Sequence, residues 1–226
     1  MLAGGCQKPT IASQAPGRVA VGALQGRTQA TLTVVDAASR VQVIMASLPG
    51  MLYRISTPPG AGLEPHVAVA GPSIRAELRP TGTDGPHEVR IVLNRDVRWG
   101  IRLPEGAGEQ QLDLVRGRIT RVELGASGLV ELRLPRPVGT VPVTLRGAVG
   151  TLSVTAPQDT PLRVGLDRGA GSATTPWTVA EALPAGTYLG PAIWTTARHR
   201  YALRAREGIG FLTVRRNGTE SGRPAG

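Results

Sequence analysis

Eight apolar pairs recur through the middle of this chain at intervals of about ten residues: Ile91/Leu93, Ile101/Leu103, Leu112/Leu114, Val122/Leu124, Leu132/Leu134, Val143/Leu145, Leu152/Val154 and Val164/Leu166. The residue inside a pair is usually polar, as in Arg102, Asp113, Glu123, Arg133, Thr144 and Ser153. Alternation of period two, ended each time by a Gly- or Pro-rich connector, is the pattern of short half-buried β-strands. Helices are disfavoured over the same span, because the 30 Gly and 19 Pro of the chain interrupt nearly every stretch where an i, i+3, i+4 stripe could start. Aromatic residues make up only 3% of the chain, so the core must be assembled in thin layers of Leu, Val, Ile and Ala. The expected class is all-β.

An all-β chain of 226 residues fits one core. Residues 1–17, rich in Pro, Ser, Thr, Ala and Gln towards their end, read as an N-terminal tether. A single β domain is expected over 18–216, with the regular repeats at about 89–171 and a polar tail at 217–226. Strands are expected at 31–35, 41–45, 52–56, 66–70 and 74–78, separated by turns such as Pro49-Gly50, Pro58-Pro59-Gly60 and Gly71-Pro72. This irregular half would begin or cap the array.

A second period lies over the first. Ile101-Arg102-Leu103-Pro104 is echoed 31 residues on by Leu132-Arg133-Leu134-Pro135, and Leu114-Val115-Arg116-Gly117 by Leu145-Arg146-Gly147. Three strands of about ten residues each would close one triangular coil, the geometry of a three-sided β-solenoid with about 30 residues per coil. Connectors such as Glu105-Gly106-Ala107-Gly108 and Gly125-Ala126-Ser127-Gly128 offer glycines for corners of positive φ. Connectors of four to six residues also suit hairpins, so an antiparallel β-sandwich is the alternative. After Thr175 the rhythm breaks. Trp177, Tyr188, Trp194 and Tyr201 follow within a short span, with strands expected at 201–205 and 211–214. Large side chains there fit a C-terminal aromatic cap over an open end, or a groove in which Trp177, Tyr188 and Trp194 meet a flat ligand with Glu181 nearby.

The formal charge is +10. Nearly all of the basic residues are Arg, scattered among Asp and Glu without the dense clusters and interleaved aromatics of nucleic-acid binders, which argues against a nucleic-acid partner. In the three-sided register Arg102, Arg133 and Arg163 would stack as one basic stripe. Cys6 is the sole cysteine, which excludes an intrachain disulfide. The run Leu2-Ala3-Gly4-Gly5-Cys6 resembles the end of a bacterial lipoprotein signal, with lipidation at Cys6 as its implication. No basic start or apolar run precedes it. A membrane would be met through that lipid, since no other stretch approaches roughly 18 consecutive apolar residues.

No catalytic constellation stands out. His66, His87 and His199 are dispersed without metal-ligand spacing, no Gly-x-Ser-x-Gly elbow occurs, and the Gly-rich turns lack the Lys and helix of a phosphate loop. No cofactor or metal is expected. The Gly-punctuated run at about 97–171 resembles the bacterial putative-adhesin family, in which short strands repeat around turns such as Gly-Ala-Gly. The resemblance implies a β-solenoid at the cell surface and brings no catalytic residues with it. Three uses follow as expectations. The first is a non-enzymatic envelope scaffold or adhesion module, anchored through Cys6, with an envelope polymer or protein as partner. The second is a polysaccharide-binding or polysaccharide-active protein. The third is a self-assembling structural protein. An apolar segment encoded upstream would place it in the envelope; without one it would be cytoplasmic.

Overall fold

Inward and outward positions alternate along nearly every strand, and this alternation sets the layering. In β13 (Val149–Pro157) Val149, Leu152, Val154 and Ala156 are buried while the residues between them reach solvent. A strand with one apolar face is stable only when a second sheet covers that face. The computed structural model describes residues 18–217 and satisfies this with two sheets. Their inner faces form one continuous aliphatic cluster, including Leu32, Ile101, Val122 and Leu145 from one sheet and Val43, Leu112, Leu132 and Leu152 from the other. Each such side chain contributes about 1.5–3 kcal/mol on burial. The expected tether with Cys6, and the tail after Asn217, lie outside the described residues.

The first sheet has the order β1 (Val19–Ala23), β4 (Met51–Ser56), β7 (Glu88–Asn94), β3 (Ala38–Ala46), β9 (Ala107–Asp113), β11 (Ser127–Arg133), β13, β19 (Ile209–Asn217), β15 (Ala170–Thr174) and β16 (Val179–Leu183). The second has the order β17 (Thr187–Leu189), β14 (Leu162–Leu166), β18 (Arg200–Ala205), β12 (Thr140–Leu145), β10 (Arg118–Leu124), β8 (Arg98–Leu103), β2 (Gln29–Val34), β6 (Ser73–Pro80) and β5 (Leu63–Ala70). From β6 to β15 successive strands alternate between the sheets, and neighbours within a sheet run parallel from β7 to β15 and from β6 to β14. Antiparallel pairs occur at the ends: β1 with β4, β4 with β7, β5 with β6, β14 with β17 and β15 with β16. The described residues are all-β, with one 3-10 turn at Ala192–Thr195 among them.

The three-sided coil is corrected. Ile101 pairs with Val122 and Leu32 in the second sheet, whereas Leu132 pairs with Leu112 and Val154 in the first, so the two echoing motifs lie on opposite layers. The chain returns to a given sheet after two strands. Leu112 meets Leu132 twenty residues on, and Val130 meets Leu152 twenty-two residues on. Two facing sheets are the layering of the sandwich alternative, although the central pairing is parallel.

Two departures concern the ends. The rung β6/β7 stacks on the outer side of β2/β3, so part of the irregular first half belongs to the array itself. The last strands, β18/β19, insert between β12/β13 and β14/β15. Tyr201 is thereby a core residue, fully buried, with its hydroxyl donating to the Pro135 carbonyl at 3.0 Å. Only β16, β17 and the 3-10 turn cap that end.

In the connectors of the regular array glycine serves close approach as well as corner dihedrals. Gly106 and Gly169 have positive φ, but Gly108, Gly128, Gly150, Gly210 and Gly171 lie on successive first-sheet strands. A Cβ on any of them would come within 2.5–3.1 Å of the carbonyl oxygen of the neighbouring strand. The second glycine of each Gly-x-Gly or Gly-x-x-Gly connector (106/108, 125/128, 147/150, 169/171 and 208/210) marks this ladder.

Candidate functional site

Charge is divided unequally between the two layers. The strands of the second sheet carry nine arginines, Arg75, Arg79, Arg98, Arg102, Arg118, Arg121, Arg163, Arg200 and Arg204, against three carboxylates, Glu64, Glu77 and Glu123. The strands of the first sheet are near balance, with six arginines (Arg40, Arg54, Arg90, Arg133, Arg215 and Arg216) against five carboxylates (Glu88, Glu109, Asp113, Glu131 and Glu181). The positive charge of the folded part is thus concentrated on one broad face.

Compensation within that face is uneven. On β10 Glu123 is almost enclosed, with its side chain 7% exposed, between Arg102 at 3.2 Å and Arg146 at 2.7 Å. Burial pushes its carboxyl up, but hydrogen bonds from Arg146 and Arg102, with their charges, outweigh this and hold it below the usual carboxylate range. At the other end of the same two strands Arg98 and Arg118 are direct cross-strand partners, and no described carboxylate lies within ion-pairing distance of either. Arg98 donates to Gln29 at 3.2 Å. These two arginines and Arg136 line a hollow of about 300 Å³ with Ile119, Thr120 and Val138. An adjoining hollow of about 480 Å³ shares Arg118 and Arg136 and adds Arg116 and Asp159.

The expected basic stripe is not formed. Arg102 and Arg163 lie on the second sheet, but Arg133 is on β11 of the first, paired with Asp113 at 2.7 Å. The three-sided register that would have aligned them is absent. The grouping of Arg98 with Arg118 has a sequence signature, two arginines one twenty-residue circuit apart, legible only once that circuit is known.

The aromatic residues separate into two places. Trp194, in the 3-10 turn, is 8% exposed. The guanidinium of Arg163 lies 3.6 Å from its ring centre and that of Arg200 lies 4.3 Å away, while its indole N–H donates to the Tyr201 carbonyl at 2.7 Å. A ring so covered cannot stack on a ligand; these contacts fasten the cap to β14 and β18. Tyr188 on β17 shares Arg163 at 5.2 Å and is largely exposed. Trp177 sits in the β15–β16 connection, half-buried under Arg216 at 5.2 Å, with no contact to the other two among the described ones. Glu181 is exposed on β16 of the first sheet, opposite Ser172, and so on the other layer from Tyr188 and Trp194. His199 accepts the Gly139 N–H at 2.8 Å. Among the described residues no group of three His, Cys, Asp or Glu side chains is placed to hold a metal, and no helix is long and apolar enough to cross a membrane.

No family model matches the chain, and no curated protein matches it. Among solved structures it is similar to one described as a putative cell adhesion protein from Clostridium sporogenes, with a TM-score of 0.69 and 15% identity, over 89% of this chain and 99% of that one. A second, described as a putative adhesin from Bacteroides fragilis, aligns over 90% of this chain and 98% of that one at 8% identity, with a TM-score of 0.36. The resemblance to adhesin-type proteins drawn from the glycine-punctuated strands is therefore met again in the Clostridium protein, as a likeness of fold.

Proposed function

We propose that the chain is a non-enzymatic, envelope-associated adhesion module, carried on a tether over residues 1–17 with a lipid on Cys6, and that it makes contact through the outer face of the second sheet. Its β domain over 18–216 acts as a rigid two-sided coil that presents this face. The observation that carries the reading is the one-sided charge: nine arginines against three carboxylates on the nine-stranded sheet, beside a ten-stranded layer that is nearly neutral. Such a face draws anionic surfaces towards it and raises the rate of encounter. The fold likeness to a protein described as a putative cell adhesion protein supports the same reading.

The test is retention of the full chain, immobilised on beads, on isolated cell envelopes. Charge reversal on the second sheet, Arg75→Glu with Arg204→Glu, is expected to reduce retention, and reversal on the first, Arg90→Glu with Arg215→Glu, to leave it. Equal retention of both variants would refute the assignment of the face. For the anchor, metabolic labelling with a fatty-acid analogue is expected to mark the protein and to be abolished by Cys6→Ser. A native protein that fractionates with the cytoplasm, unlabelled, removes the envelope assignment.

A further inference from the structure

We infer that the hollow lined by Arg98, Arg118 and Arg136 is a binding subsite for the anionic groups of an acidic polysaccharide. The inference rests on the adhesion reading for its setting and adds the site and the partner's chemistry. Its first support is energetic. Like charges placed directly across two strands destabilise the pairing, and Arg98 and Arg118 are such partners without a described carboxylate to separate them. On the same two strands the fold has a remedy elsewhere: Glu123 lies opposite Arg102 and accepts from it. An uncompensated pair beside a compensated one is what a site leaves when the missing counter-charge comes from a ligand.

The second support is shape and donor chemistry. A guanidinium presents a planar fork of donors that matches an oxyanion bidentately, and three of them converge on one recess of about 300 Å³. Arg136 has only a long contact to Asp159, at 3.9 Å with both side chains largely exposed, so it is free to turn towards a stronger acceptor. Adjacent strands are about 4.8 Å apart, so Arg98 and Arg118 can engage successive groups of one polymer, and the adjoining hollow with Arg116 prolongs the path.

The class of polymer follows from what the recess lacks. None of its lining residues is aromatic, so it has no platform on which nucleic-acid bases would stack. It is also concave, which a flexible glycan can enter and a planar bilayer cannot. Carboxylate and sulfate groups satisfy the same donors, and the test includes both.

The experiment is fluorescence anisotropy of the full chain against labelled polygalacturonate and dextran sulfate. Neutral dextran, a single-stranded oligonucleotide, and vesicles of equal parts phosphatidylglycerol and phosphatidylcholine are measured alongside. Both acidic glycans are expected to bind with an affinity that falls as salt rises, and neutral dextran not at all. Arg118→Glu should weaken binding by at least about tenfold, the scale of one charged hydrogen-bond set, and Arg133→Glu on the first sheet should leave it within about twofold. Because Arg118→Glu puts a carboxylate opposite Arg98, its Tm is expected to stay level or rise, which separates loss of the site from loss of the fold. No binding to either acidic glycan, or equal binding by Arg118→Glu, overturns the inference, and so does Arg118-dependent binding of vesicles or oligonucleotide in their place. A fall in Tm for Arg118→Glu removes the energetic premise. Envelope retention that survives Arg118→Glu leaves the adhesion reading standing without this site; glycan binding without envelope retention does the reverse.

Discussion

Glu123→Gln tests how this face holds its charge. The parent carboxylate, 7% exposed, bridges Arg102 and Arg146, which are themselves 41% and 48% exposed. Hydrogen bonds to charged groups contribute about 1.5–3 kcal/mol, and breaking a fully buried pair costs about 3–5 kcal/mol. Both guanidiniums can still reach water, so the loss belongs at the low end, about 2 kcal/mol. For a domain of this size that is a fall in Tm of about 4–8 °C. The amide keeps the shape and one acceptor, so packing is not in question; the change removes the charge that separates two arginines.

The same residue predicts a pH signature. In the folded state the Glu123 carboxyl lies below its ordinary value, its own burial notwithstanding, because Arg146 and Arg102 hold it ionised. The unfolded chain titrates near pH 4.3. Above that value the contribution is fully present, and it is lost as the pH falls through the lower folded value. Urea denaturation of parent and Glu123→Gln from pH 7 to pH 2 is therefore expected to give a stability gap that is constant near neutrality and closes in acid. Other carboxylates titrate alike in both proteins and cancel in the difference. A gap that is absent at pH 7, or that persists unchanged at pH 2, refutes the reasoning.

Asn94 is 3% exposed and latches the turn after β3: its amide donates to the Leu48 and Met51 carbonyls at 2.9 and 2.7 Å, and its oxygen accepts the Asp96 N–H at 3.0 Å. Asn94→Ala leaves three polar groups without that partner and is expected to cost about 3 kcal/mol in equilibrium urea unfolding; a loss within 0.5 kcal/mol, an ordinary surface effect, would contradict the latch. Ending the chain at residue 208 removes β19 from between β13 and β15 and uncovers what Ile209, Leu212 and Val214 had packed against. The expected product exposes apolar surface to a hydrophobic dye and lacks a cooperative thermal transition, whereas retention of that transition would mean that the array does not depend on its last strand.

Strand positions and inward residues were legible because alternation is a local property. Strands expected at 41–45 and 52–56 lie within Ala38–Ala46 and Met51–Ser56. The number of sides was not. Both layers feed one core, so a strand of either sheet needs the same Leu-x-Leu, and a ten-residue rhythm counts strands without saying how many make a circuit. Leu132 echoes Ile101 because both precede a proline turn, not because they are neighbours. The place of β18 and β19 was hidden for a similar reason: insertion between earlier strands is decided by which inner faces remain uncovered, and no spacing in the chain records it. The site follows the same division. The stripe of Arg102, Arg133 and Arg163 rested on the three-sided circuit throughout, and with two sides Arg133 falls on the other layer. Trp194 fitted either a cap or a ligand groove by sequence, because Arg163 and Arg200, which cover it, lie 31 residues before it and six after it.

The ends of the array bear on which surfaces remain for partners. Parallel sheets that stop abruptly would present unpaired backbone groups and invite further strands. Here every end is closed by a strand poorly suited to extension: β1 carries a register shift between Gly22 and Ala23, β5 contains Pro65, β17 has three residues, and β16 bends at Ala182 with φ of 50°. Proline cannot donate to a neighbour, and shifts or short strands deny it a straight template. End-to-end growth, the structural use considered for such an array, therefore has no regular edge from which to start. With the ends blunted and the inner faces consumed by the core, contact with large partners falls to the two outer faces. One of these is close to neutral, with six arginines against five carboxylates on its strands and pairs such as Arg40 with Glu109 and Arg133 with Asp113. The other has nine arginines against three carboxylates on its strands, and among them Arg98 and Arg118 face each other without a described carboxylate, so selective attraction of an anionic partner acts most strongly on that face.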